Sequence, residues 1–130
     1  MNNSTRLHWV RILIGGFLAE ASVIAVVIPV LLLFGQRAVA YAALSGSLVM
    51  CFLFALWVGR RVDSYLVLHG ILVGVVATLL YVGLTRGRPE PTAYLVAHVL
   101  KILGGAAGGF FAERRRRAMS TATADTSGAA

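Results

Sequence analysis

Residues Arg11 to Gly35 read RILIGGFLAEASVIAVVIPVLLLFG, an apolar run broken by one carboxylate, Glu20. A helix rising 1.5 Å per residue needs about 20 apolar residues to cross a ~30 Å hydrocarbon core, and this run is long enough. It has no polar face of the kind a surface helix of a soluble domain carries. The polar lead Met1 to His8, with Arg6 and Arg11 before the run and Ala38-Val39-Ala40 after it, has the outline of a signal peptide. A signal core spans only about 7–15 residues, so the reading is a retained spanning helix.

Working outward, three more apolar runs follow. The expected spanning helices cover 11–35, 39–58, 64–84 and 92–112. They form one transmembrane domain over 11–113, preceded by a short lead over 1–10 and followed by a basic cluster and a disordered tail over 114–130. Apolar residues make up 58% of the chain and charged residues 13%, too oily a balance for a soluble domain of 130 residues to hide. Backbone in lipid must satisfy its own hydrogen bonds, which leaves helices or closed barrels, and no period-two alternation supports a barrel. Short connections between long helices predict an all-α, four-helix transmembrane bundle threaded up-down-up-down. The third connection, Thr85 to Thr92, is stiffened by Pro89 and Pro91.

The net charge of +7 is distributed as a membrane orientation signal. Arg6, Arg11, Arg60, Arg61 and Arg114 to Arg117 lie on one side of the expected bundle, against Arg37, Arg86 and Arg88 on the other. This excess of eight over three predicts a multi-pass protein of the cell inner membrane with both termini cytoplasmic. The block Arg114, Arg115, Arg116 and Arg117, with Arg60 and Arg61, falls where headgroups lie, and can also recruit anionic lipid. Membrane flanking accounts for these charges, so nucleic acid is not an expected partner.

Four ionisable residues sit inside the runs: Glu20, His69, His98 and Lys101. Glu20 is nine residues past Arg11, about 13 Å from the cytoplasmic edge, and Lys101 is about 16 Å from the end at Ala112. An ionised group near the bilayer centre costs about 2.5–3.5 kcal/mol on insertion scales, so each should face the bundle and find a partner. The depths match to about one turn, within reach of a lysine stem. Side chains lean toward their own helix N-terminus, which tilts these two away from each other. His98 lies on the Lys101 face, and His69 sits at a depth from which Glu20 can also be reached. Two readings follow: a structural Glu20–Lys101 pair, or a protonatable site on a pathway. The ionisable depths scatter and no i, i+4 ligand pair exists, so no metal or cofactor is expected.

Small residues four apart let helices approach where lipid supplies no hydrophobic drive. Gly104, Gly105, Gly108 and Gly109 give the fourth helix two overlapping GxxxG patterns, with Gly70 and Gly74 on the third and Gly15 and Gly16 on the first. Ala42 and Gly46, or Ala43 and Ser47, repeat the spacing on the second. Such contacts can also join copies into a homo-oligomer. Pro29 frees the carbonyl of Ala25 and should bend the first helix. Trp9, Trp57, Tyr41, Tyr65, Tyr81 and Tyr94 fall near run ends, as interfacial belts do. The single cysteine, Cys51, lies within a run and permits no intramolecular disulfide.

No GxSxG, HExxH or phosphate loop is present, and the chain does not read as an enzyme. The segments RILIGGFLAE, LHGILVGVVATLLY and AHVLKILGGAAGGFFAERRRR together resemble small four-span bacterial membrane proteins with no assigned activity. That resemblance implies a topology and no reaction. Glu20 in a first span, with the length and helix number, also resembles small multidrug-resistance exporters. That second resemblance implies a homodimeric, proton-coupled transporter with Glu20 as its protonatable site. Lys101, the charge bias and the missing aromatic cage depart from the exporter pattern. The expected function is therefore a non-enzymatic structural, assembly or lipid-associated membrane component, with proton-coupled transport as the alternative.

Overall fold

A computed structural model describes residues 7–88 and 91–127. The lead with Arg6, the loop residues Pro89 and Glu90, and the last tail residues lie outside the described residues. The chain is all-helical, with α1 Trp9–Phe34, α2 Gln36–Gly59, α3 Leu66–Leu84 and α4 Thr92–Ser127. All four are long and apolar enough to cross a membrane, which marks a multi-pass membrane protein.

Several boundaries differ from the sequence reading, and α1 begins at Trp9 where Arg11 was expected. The connection expected over Gly35 to Ala38 shrinks to Gly35 alone, at φ +77° and ψ −176°. Glycine reaches that region without a Cβ clash, so the chain turns in one residue and Gln36 to Ala38 join α2. Tyr65 is left-handed at φ 52°, and α3 therefore begins at Leu66. The helix α4 continues through the basic cluster to Ser127, where a disordered tail was expected. Two local bonds support the extension: Arg117 pairs with Glu113 one turn back, and the Thr121 hydroxyl donates to the Arg117 carbonyl at 3.0 Å. The helix α1 runs without interruption through Pro29.

The helices bury their small residues and turn large apolar ones outward. Ala43, Ser47, Cys51, Ala55 and Gly59 form a buried stripe at intervals of four along α2. Outside, Leu32 is 79% and Leu33 75% exposed, the arrangement expected where the surroundings are hydrocarbon. The α4 glycines divide between two partners. A Cβ at Gly104 or Gly108 would strike the backbone of Leu48 or Phe52 on α2. One at Gly105 or Gly109 would strike the backbone of Gly70 or Leu66 on α3, and one at Gly74 would lie 2.5 Å from the Lys101 carbonyl. On α1, Gly15 and Gly16 receive Val58, Val73 and Val76. Gly46 meets nothing within 4 Å, so α2 uses the Ala43 and Ser47 register and not that of Ala42 and Gly46.

This packing makes α4 the partner of both α2 and α3, while α1 rests on α2 and α3. Among the described residues, α1 and α4 do not approach each other through their backbones. They occupy the long diagonal of the bundle. The glycine contacts predict a contrast measurable by denaturant titration in mixed micelles. Gly105→Ala should lose about 1–3 kcal/mol of stability through overpacking. Gly46→Ala, facing open space, should change stability by no more than about 1 kcal/mol, and in the stabilising direction.

Candidate functional site

Glu20 belongs to the buried face of α1, with Ile12, Gly15, Gly16, Ala19 and Val23. That face is buried because its glycines let Val58, Val73 and Val76 close over it. Lys101 lies on the inward face of α4, its backbone carbonyl held against Gly74. Glu20 is 4% and Lys101 2% exposed, and the Lys101 Nζ donates to Glu20 Oε2 at 2.6 Å. The opposing lean of the two side chains does not keep them apart. The flexible lysine stem spans the diagonal that the backbones leave open.

The ammonium has a second neighbour. Nζ lies 4.8 Å from the centroid of the Tyr81 ring, within cation–π range. Tyr81 in turn stacks on Tyr94 with centroids 6.2 Å apart, and contacts the His98 ring at 5.1 Å. Tyr94, His98 and Lys101 follow one another at i, i+4 and i+7 on one face of α4, and Tyr81 meets them from the end of α3. These rings and the ion pair border a cavity of about 140 Å³ between α1 and α4, which Val23 and Val27 of α1 also line. Glu20 Oε1 is buried beside this cavity and accepts no hydrogen bond among the described residues. A carboxylate oxygen in that position can take a donor from water or from a small guest.

Of the four intramembrane ionisables, three converge and one does not. Glu20, Lys101 and His98 line the cavity, whereas His69 is fully buried at the other end of α3. Its Nε2 accepts from the His8 backbone N–H at 3.2 Å, and its Nδ1 lies 2.9 Å from the Tyr65 carbonyl. An accepting Nε2 places the ring proton on Nδ1, which then donates to Tyr65. His69 therefore ties the start of α1 to the left-handed entry of α3 and is not within reach of Glu20. No group of three or more His, Cys, Asp or Glu occurs among the described residues.

Sequence reasoning placed Tyr81 and Tyr94 in an interfacial belt and missed their part in this site. The spacing of Tyr94, His98 and Lys101 was a legible signal; the arrival of Tyr81 depends on the α3–α4 packing. Cys51 is buried with Ala19 and Ala77. At the other end, Arg61 lies over the Trp57 ring at 4.5 Å, and Arg116 donates to the Val62 carbonyl at 2.6 Å and to Asp63 at 3.3 Å. Arg60 and Arg115 border a cleft between α2 and α4, and Arg114 borders a shallow one with Phe110.

No protein-family model, curated protein or solved structure matches the chain. The geometry of the pair yields a direct expectation. Glu20→Gln and Lys101→Met should each lower stability by about 3–5 kcal/mol, because each leaves the other group buried without its counter-ion. The double variant should recover most of that loss, giving a large coupling energy in a double-mutant cycle read by thermal unfolding in detergent.

Proposed function

We propose that the chain is a non-enzymatic component of the cell inner membrane, acting in assembly or lipid association, with the Glu20–Lys101 pair closing its bundle. One observation carries this reading: the carboxylate near the middle of α1 has its counter-ion at 2.6 Å, and both groups are buried. A charge so paired holds helices in register and is poorly placed to carry cargo. The up-down-up-down threading is supported by contacts that bring like ends of alternate helices together. His8 before α1 meets His69 at the start of α3, and Gly59 at the end of α2 meets Ala112 on α4. The excess of arginine on one side supports a cytoplasmic position for both termini.

A second reading is favoured by the cavity and the bare Glu20 Oε1 beside it. On that reading the chain is a homodimeric, proton-coupled small-molecule transporter in which Glu20 exchanges a proton for cargo. The resemblance to small multidrug-resistance exporters supports the same alternative, and the lysine against the carboxylate weighs against a cationic cargo.

Reconstitution separates the two. On the structural reading, Glu20→Gln lowers thermal stability and leaves pH-gradient-driven uptake of a cationic dye at the level of empty proteoliposomes, as for the unaltered chain. Uptake by the unaltered chain that vanishes in a fully folded Glu20→Gln variant would establish transport instead. For topology, cysteines placed at Arg37 and Arg88 should react with an impermeant maleimide only from the periplasmic face. Native Cys51 is 0% exposed and should give no background.

A further inference from the structure

The arginines at the basic end are not equivalent. Arg61 covers Trp57, Arg116 is held by Val62 and Asp63, and Arg117 is paired with Glu113. The side chains of Arg60 and Arg115 make no ion pair or hydrogen bond among the described residues, yet both border one cleft of about 330 Å³. The cleft exists because Gly59 brings α2 against Ala112, after which α2 stops while α4 continues outward. The rest of its lining is Leu56, Gly59, Ala112 and Met119 together with Arg116, whose guanidinium is already engaged by Val62 and Asp63. One turn deeper into the span, Phe52 and Phe111 meet edge to face at 5.8 Å, and Phe111 is half exposed along the same α2–α4 seam.

We propose that this cleft binds the phosphate of an anionic phospholipid between Arg60 and Arg115, with an acyl chain lying along the Phe52–Phe111 seam. Two guanidinium groups facing one cleft repel each other unless an anion joins them, and each offers a planar fork matched to phosphate oxygens. Free phosphate shares that chemistry. Leu56, Met119 and the neighbouring aromatic seam select a phosphate that carries a hydrocarbon chain over one that must keep its hydration shell. Basic pockets between spanning helices are a recognised setting for acidic headgroups. The inference rests on the reading that α2 and α4 cross a bilayer, and not on the Glu20–Lys101 pair or the direction of insertion.

The test uses the full chain in phosphatidylcholine nanodiscs titrated with phosphatidylglycerol, with bound lipid counted by native mass spectrometry and thermal stability measured in parallel. Arg60→Gln with Arg115→Gln should weaken retention of the anionic lipid about 30-fold. Arg114→Gln with Arg117→Gln removes the same formal charge from the cluster and should leave retention within about threefold of the unaltered chain. Equal loss in both double variants would overturn the proposal in favour of diffuse attraction, and no loss in either would overturn it outright. Millimolar inorganic phosphate that stabilises the protein as much as the lipid does would overturn the lipid assignment. Arg60 and Arg115 are exposed, so the first variant should unfold as the unaltered chain does in pure phosphatidylcholine. A chain that failed to insert at all would show no protection from protease in any nanodisc, which separates failure of the membrane reading from failure of the cleft.

Discussion

A carboxylate and an ammonium 2.6 Å apart, both buried, join two helices whose backbones, among the described residues, do not approach each other. The helices α2, α3 and α4 are drawn together by glycine, and α1 is seated on α2 and α3 by its own glycine pair. Nothing in that arrangement brings the α1 and α4 backbones together. The open diagonal is where two charged side chains can be housed, because it has room for a lysine stem. It is also where they are most needed, since either charge left alone in hydrocarbon would cost several kcal/mol. The pair and the glycine packing are therefore complementary parts of one solution.

The position of the pair depends on the packing of α4. The Lys101 carbonyl lies against Gly74, and one turn further along Gly105 and Gly70 hold each other's backbones. This contact sets how deep Lys101 sits and which way its side chain leaves the helix. The Tyr81 ring is carried to the ammonium by the same α3–α4 contact, and Tyr94 and His98 complete an aromatic wall beside it. The result is a compact polar centre with a cavity at its edge, surrounded by an apolar exterior.

At the end of the bundle where α3 begins, polar residues act as braces. At the His69 end, a neutral imidazole satisfies two backbone groups and joins the entry of α1 to that of α3. Nearby, two arginines brace the α2–α3 turn: Arg61 through Trp57, and Arg116 through Val62 and Asp63. The extension of α4 beyond its apolar part is what presents Arg116 to that turn. A helix ending at Ala112 would have left the connection without this support.

The sequence by itself determined the class of the protein, because the length and oiliness of the four runs leave few ways to satisfy backbone hydrogen bonds. It also determined that Glu20 needs a partner and that Lys101 is at a suitable depth, since depth follows from helical rise alone. The small-residue spacing on α4 marked this helix as closely packed, while the division of its glycines between two partners came only from the structure. What it could not tell was which of two registers α2 would use, because Ala42 with Gly46 and Ala43 with Ser47 have the same spacing. Nor could it place Tyr81 beside Lys101 or remove His69 from the reach of Glu20. Those outcomes depend on how each helix is rotated about its axis, and rotation is decided only when all the close contacts between backbones are made together.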